Sequence, residues 1–541
     1  MSCQPRLRRA WLVLAALSAF ALAVGAATAL GDGDPQPIDF SHNVVNAPAP
    51  VTSAVFGQSP ATKTGTAICT TGVQAGPNFN TDCEGQTTTS GGPHNETSIA
   101  VNPTDPNNII GGANDYQLGL NPGGHVSETV ISRAHVTFDG GNTWAEYPIR
   151  SNSAYQATGD PALAFDADGR AYYGTLGFRF VGPVNATNPD VLVSTSGDKG
   201  KTWNARVVAA GSGNEGSVGD LLDKEYVAAW GHGNAIVTYG DFRADSPGAF
   251  TTGRIYDSVT HDGGAHWSKP TLISGSLDQS FVSVPTVAAD GKIYVSFLNT
   301  TDLTTGRDDY EVVQVSPATG AAVGQPVKVA TVIDGFTDYP VAFGRQTYQD
   351  SVFRSWAAGN ITADPTNASH LAVVWSDMRN SPPPSPDLNP YTSVTNSDVI
   401  VSESTDGGAH WSAPQAVELP GDQFQQWAAF DKNGVLRIGT FDRSYDPANH
   451  KYGFTVLTQT GSGFSSTQIT DTLSDPTTND RWFARTLDAG FPNATAFLGD
   501  YANIAATPDG GVAAYWTDMR NSANFGGVTG SGEDAYFGKT G

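Results

Sequence analysis

Two stretches, THDGGAHW at 260–267 and STDGGAHW at 404–411, are nearly the same phrase written twice. TFDGGNTW at 137–144 and SGDKGKTW at 196–203 obey the same rule: Ser or Thr, any residue, Asp, any residue, Gly, two more, then Trp. Each follows a run of strand character (VISRAHV, DVLVST, RIYDSV, DVIVSE), and extended runs such as AEYPI or SKPTLIS come after. The phrase therefore reads as a hairpin turn. Glycine takes the positive φ that the turn needs, and Ser/Thr and Asp side chains bond nearby backbone N–H groups. The tryptophan gives a large apolar face to pack. Asp139, Trp144, Asp198, Trp203, Asp262, Trp267, Asp406 and Trp411 are thus expected to be structural, and the chain is a repeat protein.

A second phrase recurs upstream of the turns. VVWSDMRNS at 373–381 returns as AYWTDMRNS at 514–522, with VTYGDFR at 237–243 and IGTFDR at 438–443 as variants. A further strand precedes each, and these first strands begin near 98, 161, 225, 284, 359, 426 and 503. Units of four short strands at such spacing are blades of a β-propeller. The fold class is all-β, with seven blades expected and six as the alternative. The last unit holds three strands and ends in DAYFGKTG, so the N-terminal segment should supply its missing edge, with AVFGQ at 54–58 as the candidate.

Composition agrees with this class. Among 541 residues there are 61 Gly and 33 Pro, 15% are charged and 39% hydrophobic, and no long stretch shows helical periodicity. The formal charge of −24 argues against nucleic acid, which demands a basic surface, and against docking on anionic membrane. Arg6, Arg8 and Arg9 precede an apolar run and the small residues ATA at 27–29, the pattern of an export signal over 1–29. The exported protein then has a leader at 30–94 and one propeller domain at 95–541, expected to be secreted and monomeric. Cys69 and Cys83 remain after processing, and an even pair in an exported chain is expected to form a disulfide.

The four turn phrases resemble the Asp boxes (BNR repeats) of the sialidase-like propellers. HNETSIAVNPTDPNNIIGGAND and GDYANIAATPDGGVAAYWTDMR resemble a bacterial secreted branch of that family, over about 95–541. The resemblance implies an active site on the face opposite the turns, where the innermost strands begin. It also implies an arginine clamp on a substrate carboxylate, a tyrosine activated by a glutamate, and an aspartic acid/base. Glu96, Asp160, Asp223, Glu225, Asp500 and Tyr501 are the catalytic candidates. Lys224, Arg354, Trp356, Arg481, Trp482 and Arg485 are the substrate-binding candidates, with Arg345 a further arginine in the same loops. The Phe-Arg-Ile-Pro phrase of sialidases is absent: HNETSIAV stands there without an arginine.

Three readings stay open: a sialidase, a glycosidase with a carboxylate pair acting on another polysaccharide, and a non-catalytic propeller that binds glycan or protein. The Asp-x-Arg pairs recur in several blades and are read as architectural. No His-Glu-x-x-His, Gly-x-Ser-x-Gly or phosphate-cradling loop occurs. No cofactor is required, and calcium at the loop carboxylates is allowed.

Overall fold

The computed structural model describes residues 65–83, 93–120, 126–149, 155–179, 187–214, 218–246, 249–342, 345–461, 463–477, 497–525 and 528–540. Their regular elements are all strands. Seven antiparallel sheets follow one another along the chain, each ordered from an innermost strand outward. The innermost strands are His94–Val101, Ala157–Phe165, Gly219–Trp230, Ser280–Val287, Ile361–Ala363, Gln423–Phe430 and Asn503–Ala506. We call the sheets blades 1 to 7 in that order. The count of seven is as expected. Apolar side chains fill the space between blades: Ile236, Ile255 and Val259 of blade 3 pack with Ile293, Val295 and Phe297 of blade 4.

The repeated turns fasten each of their blades to the one before. Thr137 Oγ1 accepts the Gly141 N–H at 2.9 Å, and Asp139 Oδ1 accepts the Thr143 N–H at 2.9 Å. The other three turns repeat this pattern around Asp198, Asp262 and Asp406. His266 and His410 bond their own turn aspartates. Trp144 stacks on Tyr515 of blade 7 at 6.1 Å and meets Phe537 edge-on at 4.9 Å. Trp203 is buried against Tyr173, whereas Trp267 and Trp411 are only half-buried.

Two of the Asp-x-Arg pairs, Asp377/Arg379 and Asp518/Arg520, are also architectural, whereas Arg243 pairs with Asp220 and Asp245 and not with Asp241. Asp377 accepts from Trp375 Nε1 and from Arg379, and takes the Ile333 N–H of the preceding connection at 3.2 Å. Asp518 accepts from Trp516 Nε1 and Arg520 in the same way, while Arg520 also reaches Asp471.

The ring closes through the disulfide-bonded segment. Cys69 and Cys83 are joined, with their Cα atoms 5.9 Å apart. Cys69–Thr70 pairs with the outer strand of blade 1, and Phe79–Asn80 pairs with Tyr536 and Phe537 as the fourth strand of blade 7. One small loop therefore edges both the first and the last blade. This corrects the expected closing strand: Phe79–Asn80 takes that place, and 54–58 lies outside the described residues.

Candidate active site at the propeller axis

Five of the innermost strands carry the same irregularity. Their pairing slips between Asn95 and Ser98, Gly159 and Ala162, Asp223 and Tyr226, Phe281 and Val284, and Phe424 and Trp427. The first bulged residue is left-handed each time: Glu96 (φ 53°), Asp160 (56°), Lys224 (53°), Val282 (50°) and Gln425 (50°). A bulge with a positive φ re-aims the side chain it carries. A branched residue such as Val282 rarely adopts that conformation, so the fold imposes it. In blades 5 and 7 the chain enters through segments containing Arg354–Trp356 and Asp500–Tyr501 instead. Gly499 has φ 82°, and a Cβ there would lie 2.6 Å from the Glu96 nitrogen, so glycine permits the close approach.

Three of the bulge positions, Glu96, Asp160 and Lys224, meet Asp500 at one ammonium group. Lys224 Nζ lies 2.7 Å from Asp160 Oδ2, 2.8 Å from Asp500 Oδ2 and 3.2 Å from Glu96 Oε1. Arg354 binds both oxygens of Asp500, with Nε to Oδ1 at 2.6 Å. Asn114 joins blades 1 and 2 here, donating to Glu96 Oε2 at 2.8 Å and accepting the Asp160 N–H at 2.9 Å. All six side chains are buried. The Trp356 ring backs the cluster, its centroid 5.8 Å from Lys224 Nζ and 5.2 Å from the Arg354 guanidinium.

The carboxyls divide into two kinds. Burial and the neighbouring Asp160 push Glu96 well above the ordinary glutamate range. Burial likewise raises Asp223 and Glu225. Burial also acts upward on Asp500, but Arg354 and Lys224 outweigh it and hold this carboxyl at about 2. Burial lowers Lys224, yet Asp160, Asp500 and Glu96 together raise it well above its usual value. The site thus sets a carboxyl that is raised and one that is held low on the same cation.

Beneath the cluster lies an aromatic layer. Tyr226 of blade 3 stacks on Trp427 of blade 6 with centroids 5.4 Å apart, a contact across the axis, and meets Tyr501 edge-on at 5.5 Å. Below it a channel of about 200 Å³ is lined by the innermost strands of all seven blades. On the other side of Trp356 opens a cleft of about 80 Å³, walled by Phe242, Phe281, Phe336, Tyr339 and the Asp308 and Asp334 carboxyls.

Of the sequence candidates, Glu96, Asp160, Lys224, Arg354, Trp356 and Asp500 come together. Asp223 accepts the Lys224 N–H at 2.9 Å and stands beside the group. Glu225 points away and packs over Gly174 of blade 2. Tyr501 is adjacent, but its hydroxyl donates to the Pro161 carbonyl at 3.2 Å, and burial with Glu96 nearby holds the phenol well above its ordinary value. It is a neutral phenol in this arrangement. Arg345 sits half-buried on the 341–346 hairpin, lowered to about 9 by burial and by Arg354. Arg481, Trp482 and Arg485 lie outside the described residues.

Sequence reasoning missed Asn114, Gln425 and Trp427. Aligning the innermost strands by unit would have found Gln425 and Trp427. They share columns with Lys224 and Tyr226, and Glu96, Asp160, Lys224 and Gln425 fall in one column, which holds Val282 in blade 4. Asn114 carries no such signal.

No protein-family model matches the sequence, and no curated protein matches it. Solved structures with a similar chain path include a protein of unknown function from Dyadobacter fermentans, at 12% identity and a TM-score of 0.43 over 86% of this chain and 98% of that one. Another is the Hadza microbial sialidase Hz136, at 12% and 0.41 over 77% and 75%. A third is the GH93 α-L-arabinofuranosidase of Fusarium graminearum, at 12% and 0.40 over 85% and 98%. At this level of identity the likeness is one of fold.

Proposed function

We propose that this protein is an exported, carbohydrate-acting propeller of the sialidase-like, Asp-box kind, and that the axial cluster is the reacting centre of a glycoside hydrolase. The observation that carries this reading is the placing of two buried carboxyls, Glu96 and Asp500, on one ammonium, with their pKa values pushed in opposite directions. Glycosidases need such a proton donor and carboxylate pair. Shared contact with a single nitrogen keeps the three carboxyls closer than the roughly 6.5–9.5 Å of an inverting pair, which favours retention of configuration. Trp356, with the aromatic cleft behind it, offers an apolar face for a sugar ring. The disulfide fits an oxidising, extracellular setting.

Within this reading a sialidase mechanism has the weaker support. Tyr501 is neutral and bonded to a carbonyl, and Arg354 is committed to Asp500. A carboxylate-pair reaction on another glycan fits better. One observation favours the non-catalytic alternative: the cluster is enclosed, and its charges satisfy one another.

The test is to incubate the protein with sialosides and with plant and microbial polysaccharides, following released sugar by mass. The Glu96→Gln variant, which mimics the protonated side chain, runs beside it. Release that disappears in Glu96→Gln supports the assignment. Release unchanged in that variant removes Glu96 from the chemistry. No release from any substrate, with glycan binding retained, favours the binding propeller.

A further inference from the structure

A second buried group of ionisable side chains lies at the seam where the ring closes. Asp82 comes from the disulfide-bonded segment, His94 opens the innermost strand of blade 1, and Asp534 opens a strand of blade 7. One donor atom from each lies within 4.8 Å of the others. All three side chains are buried, His94 to 2% exposure. We propose that Asp82, His94 and Asp534 bind a divalent cation of the zinc class, which pins the N-terminal segment to the first and last blades.

The spacing of His94 and Asp82 is that of two ligands around an ion. His94 Nδ1 stands 3.4 Å from Asp82 Oδ2 and makes no hydrogen bond. A charge-assisted hydrogen bond would draw the pair to about 2.7–2.9 Å. Two donors on a tetrahedral ion with bonds near 2.1 Å stand about 3.4 Å apart. The surroundings resemble those of a ligating histidine, whose second nitrogen faces a carboxylate. His94 Nε2 faces Asp115 Oδ1 at 3.5 Å, likewise without a hydrogen bond, and Arg133 Nε lies 3.0 Å from the other Asp115 oxygen. The Asn80 and Asn521 amides donate to Asp534 Oδ2 at 3.1 and 2.6 Å, fixing the third carboxylate. Glu146 is also buried here and pairs with Arg133, so the seam carries more acid than base. An imidazole with two carboxylates suits zinc or manganese better than calcium, which takes oxygen ligands.

The rival account is an imidazolium held between Asp82 and Asp115 with no metal. The experiment treats the whole protein with EDTA, removes the chelator, and titrates Zn²⁺, Co²⁺ and Ca²⁺ by calorimetry and thermal melting. His94→Ala and Asp534→Asn are measured alongside. One equivalent of Zn²⁺ at micromolar affinity or better, a melting temperature raised by several degrees, and intense visible Co²⁺ bands of a four-coordinate site are expected. His94→Ala should lose all three, and Asp534→Asn should weaken binding at least tenfold. The wild-type titration stands even if a variant fails to fold. Absence of Zn²⁺ binding by wild type overturns the site, as does binding that persists unchanged in His94→Ala or a preference for Ca²⁺.

Discussion

Lys224 and Asp160 occupy the same left-handed bulge position in adjacent blades, and there the ammonium of one touches the carboxylate of the other at 2.7 Å. A repeated backbone feature, filled with unlike charges, thus draws the axis of the ring together. Glu96, at the same position in blade 1, joins them from 128 residues away in sequence.

Replacing that ammonium should be severe. Lys224→Met leaves Asp160 and Asp500 buried without their shared cation, and removing one partner of a buried pair costs about 3–5 kcal/mol. Chemical denaturation should show this loss, or the variant should fail to fold. A melt within 0.5 kcal/mol of wild type, roughly the effect of an ordinary surface substitution, would show that the cluster contributes nothing to the fold.

Glu96→Gln and Asp500→Asn should separate. Glu96 is raised well above the ordinary range and glutamine matches the neutral carboxyl in charge and shape, so the stability change should be at most about 1 kcal/mol. Asp500 is ionised and grips Arg354 with both oxygens, so Asp500→Asn should cost about 3–5 kcal/mol. Equal losses in parallel denaturation curves would contradict this division of protonation.

The ring should be sensitive at Gly141. This residue has φ 103°, and a Cβ would lie 2.9 Å from Phe537 Cζ on blade 7. Gly141→Ala combines backbone strain with overpacking and should destabilise by about 2–4 kcal/mol. The Gly461→Ala control, with φ 61° and open space around it, isolates the backbone part.

Asp257 gives a pH dependence. It is fully buried, its oxygens make no hydrogen bond, and burial raises it to about 8. The folded state therefore keeps a proton that the unfolded chain releases above its ordinary value of 3.8. Stability from this group is greatest in acid and falls as pH rises, until the folded form also ionises near pH 8. Asp257→Asn removes the dependence and should be more stable than wild type at pH 7 by a few kcal/mol, of the order given by about 1.4 kcal/mol per pK unit. Melting temperatures of both proteins from pH 4 to 9 should diverge with rising pH; parallel curves would exclude this.

The Cys69–Cys83 disulfide should matter out of proportion to its loop. A loop of this length stabilises by about 3 kcal/mol, and here it also carries the edge strands of blades 1 and 7. Reduction, or a Cys69→Ser/Cys83→Ser double variant, should lower the melting temperature and increase amide exchange at Tyr536 and Phe537. Exchange unchanged there would mean that Phe79–Asn80 stays paired without the covalent bond.

Much of this protein was legible in its sequence because the information is local. The four turn phrases carry their own hydrogen-bond chemistry, and with the seven recurring first strands they marked the all-β class and the seven blades. Ordering strands within a blade also placed Glu96, Asp160, Lys224, Arg354 and Asp500 on one face. Tertiary structure alone decided the rest. A bulge is invisible to a period of two, so nothing local announces that Lys224 turns inward while Glu225 turns back onto blade 2. The pKa shifts follow from burial and from partners far apart in sequence, such as Lys224 and Asp500, which meet only after the ring closes. The closing strand is two residues inside a disulfide loop, too short for any pattern, and it is specified by the unpaired edge of blade 7 that awaits it.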